Sequence, residues 1–270
     1  MAIEAALTAE FPDSIRYRRS LARYRTLFAN FHLDSGRYGP AEEQTRAALA
    51  VHQQLASQFP AVPDYRAEVG YNLSTPGNCA REAGRVAESL SHLDRAVAQL
   101  RPLWESEQRN EYTRKALRES YRGRALAHER LRKVAEADAD WGRALDLCRN
   151  DEADAVTVDR VRGKARAGRV CDALAEVAEL RKRAGWAAPQ MYDFACVYAV
   201  ASAQNPEHAA AAVGLLRQAV AAGYNAPAHL AADADLDPIR GRDDFKRLVA
   251  ELAAKTTPRP EQAASPRSAP

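Results

Sequence analysis

No apolar run in this chain approaches the ~20 residues needed to cross a bilayer, so no membrane-spanning helix is expected. Charge of one sign is missing too. The 39 Lys and Arg stand against 36 Asp and Glu, and a net charge of +3 gives a nucleic-acid reading no support from bulk electrostatics. Aromatic residues make up only 7% of the sequence while alanine is frequent, a mixture that suits stacked helices with small contact residues. The four cysteines (Cys79, Cys148, Cys171, Cys196) form no CxxC pair, which argues against a zinc ribbon or a disulfide framework. A reduced, intracellular (cytoplasmic) protein with four buried thiols is the simplest expectation. Met1 to Glu10 has no basic lead and carries Glu4 and Glu10, so it does not read as a secretory signal. Phosphate-binding glycine loops, a dinucleotide fingerprint and the loop, Lys and Asp motifs of a kinase are all absent. His32, His52, His92, His128, His208 and His229 show no metal-ligand spacing, and solvated helix surface is expected for most of them. No cofactor, no metal and no catalytic residue is expected.

What is present is a period. Ala2-Ile3, Leu7 and Thr8-Ala9-Glu10-Phe11-Pro12 reappear by residue class as Ala50-Val51, Leu55 and Ala56-Ser57-Gln58-Phe59-Pro60. The offset of 48 carries Tyr17-Arg18 onto Tyr65-Arg66 and Gly36-Arg37 onto Gly84-Arg85. A fixed period of this size implies stacked units, none of which buries its apolar face alone. The match starts inside a unit, so residues 1–12 are expected to be the last helix of a repeat whose first half is absent.

Five helical hairpins follow from the punctuation. Their helices are expected near 14–34 and 40–58, 63–82 and 86–106, 110–131 and 134–149, 152–167 and 170–184, and 189–203 and 207–222. Gly36, Gly84 and Gly168 fit left-handed caps at the hairpin turns, and Arg132-Lys133 stands where the third unit turns. The array is expected over 13–224, capping helices over 225–255, and a disordered Pro/Ala/Ser-rich tail over 256–270.

Within the units small residues recur on the first helix: Ala29, Gly77, Ala125 and Ala195. On the second helix a trio recurs at steps of four and three. It reads Ala41, Thr45, Ala48; Ser89, Leu93, Ala96; Ala137, Trp141, Ala144; Ala173, Val177, Leu180; and Ala212, Leu216, Ala219. Those steps place each trio on one helix face. Over roughly 2–222 this pattern resembles the tetratricopeptide repeat (TPR). The resemblance implies an all-α, right-handed superhelical solenoid that binds other proteins along a concave face lined by first helices.

A second likeness lies further on. Tyr192-Asp193-Phe194-Ala195-Cys196-Val197-Tyr198-Ala199 leads to Leu215-Leu216-Arg217-Gln218-Ala219-Val220-Ala221-Ala222-Gly223-Tyr224, then to Ala228-His229-Leu230 and the run from Asp235 to Phe245. This is similar to the C-terminal repeat region of planctomycete-type bacterial serine/threonine protein kinases. It implies a regulatory or docking role beside a kinase or its substrates, and gives this chain no kinase activity.

The groove candidates lie one place past each small residue and on the turns before it: Asn30, Asn78 and Leu126, then Thr26, Ser74 and Arg122, then Arg23. Asn amides can bond a peptide backbone and Arg can hold a carboxylate bidentately. TPR domains that clamp a chaperone's C-terminal carboxylate use Asn with Lys or Arg in such places; here two Asn recur and the Lys do not. The same residues also fit an ordinary solvated helix face. Asp233, Asp235, Asp237 and Asp244 echo a calcium loop, but Pro238 stands where the sharp turn needs Gly. Helix capping by Asp237 ahead of Pro238 is the simpler expectation. Pro76, in the interior of a first helix, is expected to kink or break it. Trp104, Trp141 and Trp186, with Tyr24, Tyr71, Tyr112 and Tyr121, are expected to pack between helices.

The reading is therefore a non-catalytic scaffold that takes a peptide or partner helix in its groove. Two alternatives stand beside it. One is the detached regulatory region of a kinase. The other is a self-assembly module stacking through the exposed Ile3 and Leu7 edge.

Overall fold

The computed structural model describes residues 2–150, 152–183 and 185–256. The expected disordered tail therefore falls, beyond Thr256, outside the described residues. Among the described residues every regular element is helical. In order these are α1 (Ala2–Glu10), α2 (Ile15–Asp34), α3 (Tyr38–Gln58), α4 (Pro63–Glu82), α5 (Val86–Ser106), α6 (Glu111–Arg130), α7 (Val134–Asp146), α8 (Glu152–Arg166), α9 (Val170–Leu180), α10 (Ala188–Ser202), α11 (His208–Ala221), α12 (Pro227–Ala232), a 3-10 helix (Ala234–Ile239) and α13 (Asp243–Thr256). The chain divides within α8 into two compact units, residues 1–157 and 158–270.

Four of the first helices, α2, α4, α6 and α8, end alike. At Gly36, Gly84 and Gly168 the backbone turns left-handed, with φ of 70°, 78° and 86°. The next residue's N–H reaches back to a carbonyl five residues earlier, as in Arg37 to His32 (2.8 Å) and Arg85 to Ala80 (2.7 Å). These bonds satisfy carbonyls that the helix end leaves open. α6 closes the same way, from Lys133 N to His128 O (3.0 Å), but the left-handed residue is Arg132, with φ 56°.

In unit 1 the recurring trios pack as their spacing requires. Ala41, Thr45, Ala48, Ser89, Leu93, Ala96, Ala137, Trp141 and Ala144 are all buried. Small residues on the first helix let the partner approach: a Cβ built on Gly77 would stand 2.7 Å from Leu93 Cγ. The larger middle residue fills the space so opened, and complete burial of a leucine such as Leu93 contributes roughly 1.5–3 kcal/mol. Within unit 1 first helices also lie against one another, α2 on α4 and α4 on α6.

Two expectations about local structure are corrected. Pro76 does not break its helix; α4 runs unbroken from Pro63 to Glu82. The ring removes one hydrogen bond, the one to the Asn72 carbonyl. Packing holds the segment instead, with Asn72, Thr75 and Gly77 all buried. The cysteines are not uniformly buried either: Cys79 and Cys196 are, Cys148 is partly exposed and Cys171 is exposed.

Arginine does more than solvate helix faces. Arg114, with a side chain 2% exposed, bonds Glu111, Glu152 and the Leu147 carbonyl. Arg81 donates to Asn78 (2.8 Å) and to the Gly123 carbonyl (3.3 Å), tying α4 to α6. Asp140, 1% exposed, is held by Arg124 and Arg143. Arg114, Arg81 and Asp140 are thereby each paired, as burial of a charge demands.

Unit 2 is built around the α10–α11 hairpin. Ala195, Ala212, Leu216 and Ala219 are fully buried, and Trp186 meets Phe194 edge-on at 5.0 Å. The 3-10 helix and α13 lie against this hairpin, and Leu236, Ile239 and Phe245 are buried. The anchor is ionic. Arg162 pairs with Asp193 (2.6 Å), Asp235 (2.7 Å) and Asp233 (3.3 Å), and Arg166 pairs with Asp235 (2.7 Å). The cap of the 3-10 helix is Asp233, which accepts from Asp235 N, rather than Asp237, which pairs with Arg240.

Candidate functional site

Arg16, Arg19, Arg23, Leu27 and Asn30 follow one another along α2 at steps of three and four, and so form one ridge. Tyr65 and Tyr71 of α4 and Tyr112 of α6 stand across from it. Between them runs a groove in two parts. A wide cleft of about 690 Å³ is lined by Ile15, Arg16, Arg19, Tyr24 and Tyr65. A narrower recess of about 140 Å³ is lined by Thr26, Asn30, His52, Tyr71 and Tyr112. Arg23 and Leu27 line both parts and join them.

The three arginines differ in what holds them. Arg19 is tied down: its Nε donates to Glu68 at 3.0 Å, its Nη2 lies 3.4 Å from Asp64, and its guanidinium sits 5.0 Å over the Tyr65 ring. Arg16 and Arg23 are exposed. Among the described residues neither makes a salt bridge or a side-chain hydrogen bond, so both guanidiniums are available to a ligand.

A buried polar network underlies the recess. Thr26 Oγ1 donates to Asn72 Oδ1 (2.8 Å), and Asn72 Nδ2 donates to His52 Nδ1 (3.0 Å) and to the Glu68 carbonyl (2.8 Å). With Nδ1 accepting, the imidazole proton belongs on Nε2, which faces the Glu68 carboxylate at 3.7 Å. Burial, aided by the positive charges of Arg19 and Arg23, holds the His52 pKa down to about 4. Burial also pushes the Glu68 carboxyl upward, against the pull of Arg19. His52 is thus a buried, neutral strut, an exception to the solvated helix surface expected for most of the histidines. Asn30 Nδ2 donates to Tyr71 Oη (2.8 Å), and the Tyr71 and Tyr112 rings lie 5.8 Å apart.

Of the residues singled out from sequence, the structure gathers Arg23, Thr26 and Asn30 at the recess. The others sit elsewhere. Ser74 is buried and donates back to the Tyr71 carbonyl (2.6 Å). Asn78 accepts from Arg81, Arg122 pairs with Glu119 (2.8 Å), and Leu126 packs on the unit 1 core. Arg16, Arg19, Tyr65 and His52 were missed. The 16/19/23 spacing and the match of Tyr17 to Tyr65 would have pointed to three of them. Trp141 and Trp186 pack as expected, whereas Tyr24 is 43% exposed.

A second cluster, in unit 2, brings Cys196, Asp233 and Asp235 within 4.8 Å of one another. Its cationic place is already taken by Arg162 and Arg166. The remaining aspartates of the calcium-like run point to their own arginines, Asp237 to Arg240 and Asp244 to Arg242.

No protein-family model matches the chain, and no curated protein matches it. Among solved structures, the chain is similar to a kinesin light chain-type protein of Podosopora anserina with nearly identical TPR-like repeats. The identity is 18%, over 76% of this chain and 96% of that one, with a TM-score of 0.49. It is also similar to a tetratricopeptide repeat protein of Parabacteroides merdae, at 15% identity over 87% of this chain and 99% of that one, with a TM-score of 0.21. The helical-repeat assignment stands on this chain's own hairpins and buried trios.

Proposed function

We propose that unit 1 is a non-catalytic protein-binding scaffold whose groove takes an extended acidic segment of a partner protein. The observation that carries this reading is the pair of unpaired guanidiniums, Arg16 and Arg23, set beside Tyr24, Tyr65 and Leu27 in one cleft. Unpaired arginines call for carboxylates, which they can hold bidentately. Tyrosine faces and Leu27 supply apolar contact with little conformational entropy to lose. Arg19 and the His52–Asn72–Thr26 network keep the groove wall rigid, which lowers the cost of binding. The likeness of 192–245 to kinase-linked repeat regions supports a narrower version, in which the bound segment belongs to a kinase or its substrate.

Fluorescence anisotropy with a labelled decapeptide of alternating Glu and Leu tests this reading. Binding is expected, weakening as salt rises and largely lost in an Arg16→Ala/Arg23→Ala double variant. Binding indifferent to that variant, or none at roughly millimolar peptide, overturns it.

A further inference from the structure

The ridge of α2 offers three arginines to the groove, but the middle one is withheld. Arg19 Nε donates to both Glu68 oxygens (3.0 and 3.3 Å), its Nη2 lies 3.4 Å from Asp64, and the Tyr65 ring stacks against its guanidinium. Asp64 is itself fixed, because its Oδ1 accepts from Asn110 Nδ2 at 3.1 Å. Two carboxylates thus face one guanidinium, which leaves a formal surplus of one negative charge beside Arg19. The Asp64 side chain is 49% exposed, so a ligand in the cleft meets that charge. To either side stand Arg16 and Arg23, exposed and without a carboxylate partner among the described residues. Along the ridge the charge therefore runs positive, negative, positive.

We infer that the groove reads the spacing of acidic residues and not their number. It takes two carboxylates three residues apart with uncharged residues between them, and Asp64 and Glu68 are the specificity-determining residues. The inference rests on the acidic-segment reading and narrows it. Arg16 and Arg23 stand seven positions apart on α2, a rise of about 10.5 Å. A segment in polyproline II conformation rises about 3.1 Å per residue and turns once in three, so side chains three apart share a face about 9 Å from one another. Each of two such carboxylates reaches one free guanidinium, which can hold it bidentately. A carboxylate placed between them comes against Asp64 and Glu68 instead, and against an arginine those two already neutralise. Like charges brought together in this way select against a partner. Tyr65 and Leu27, which line the same cleft, favour uncharged side chains at the intervening positions.

Fluorescence anisotropy of the full chain with labelled Leu/Ser peptides of equal length reads the result. Three peptides carry two glutamates with none, two or five residues between them, and a fourth carries four consecutive glutamates. The pair with two intervening residues is expected to bind about tenfold more tightly than the other pairs, and more tightly than the run of four despite half its charge. Asp64→Asn/Glu68→Gln frees Arg19 and should reverse that last order. Asp64→Asn alone, at a half-exposed position, keeps the test open should the double variant fail to fold. It should favour the run of four more than the spaced pair, by about threefold. Wild-type affinity that follows the number of glutamates whatever their spacing overturns the inference and leaves the acidic-segment reading standing. A peptide order unchanged in both variants does the same. Binding of no peptide, or binding indifferent to Arg16→Ala/Arg23→Ala, overturns the reading and the inference together.

Discussion

His52 Nε2 and the Glu68 carboxylate face each other at 3.7 Å from α3 and α4, with side chains only 1% and 3% exposed. The arrangement has a pH consequence. The His52 pKa is lowered from 6.5 to about 4, so its contribution to stability is complete above 6.5 and is lost as pH falls toward 4. Glu68, raised by burial, acts in the opposite sense and is common to wild type and variant. Between neutral pH and pH ~4, wild type should lose up to ~3 kcal/mol more than His52→Gln. Urea unfolding of both proteins at the two pH values measures this, and parallel losses would show that His52 is not held neutral.

Arg132 holds a backbone conformation that its three counterparts give to glycine, with φ 56°. The side chain is exposed, so little is lost by removing it. Arg132→Gly should stabilise unit 1 by about 1 kcal/mol. A lowered thermal midpoint would contradict this.

The same substitution should have opposite signs at two helical glycines. Gly77→Ala drives a methyl to 2.7 Å from Leu93 Cγ and 3.2 Å from the Ser89 carbonyl, and should destabilise by about 1–3 kcal/mol. Gly142→Ala meets nothing within 4 Å on α7 and should stabilise by about 0.5–1 kcal/mol. Denaturant midpoints of the pair decide the matter; two changes of the same sign would refute the close-approach role of Gly77.

In unit 2, Arg162→Ala leaves the partly buried Asp193 and Asp233 without their main cation, at a cost of about 1–3 kcal/mol. Loosening of the 3-10 helix should follow, read as faster proteolysis within 225–256. An unchanged cleavage rate would remove the ionic anchor from the account.

How much of this was legible beforehand depends on whether position along a helix decides the outcome. The trios from Ala41 to Ala219 and the glycine turns are set by periodicity and backbone sterics, so hairpin order, helix type and core could be read off directly. Pro76 misled because interior proline is costly in isolation, whereas Asn72, Thr75 and Gly77 are locked by neighbouring helices. The groove was read one residue at a time, from the positions beside Ala29, Gly77 and Ala125. Its walls depend on which side chains are already engaged: Arg81 captures Asn78, Glu119 captures Arg122, and Glu68 with Asp64 captures Arg19. Those pairings join residues 40 to 50 apart as readily as neighbours, and only coordinates reveal that Arg16 and Arg23 are left over.

The central claim, that those two arginines select acidic segments, is tested most directly by peptide-display selection on wild type and on an Arg16→Glu/Arg23→Glu variant in parallel. Wild type should enrich sequences rich in Asp and Glu with interspersed apolar residues, and the charge-reversed protein should lose them and favour Lys and Arg. The same sequences emerging from both proteins, or no enrichment from wild type, would contradict the account.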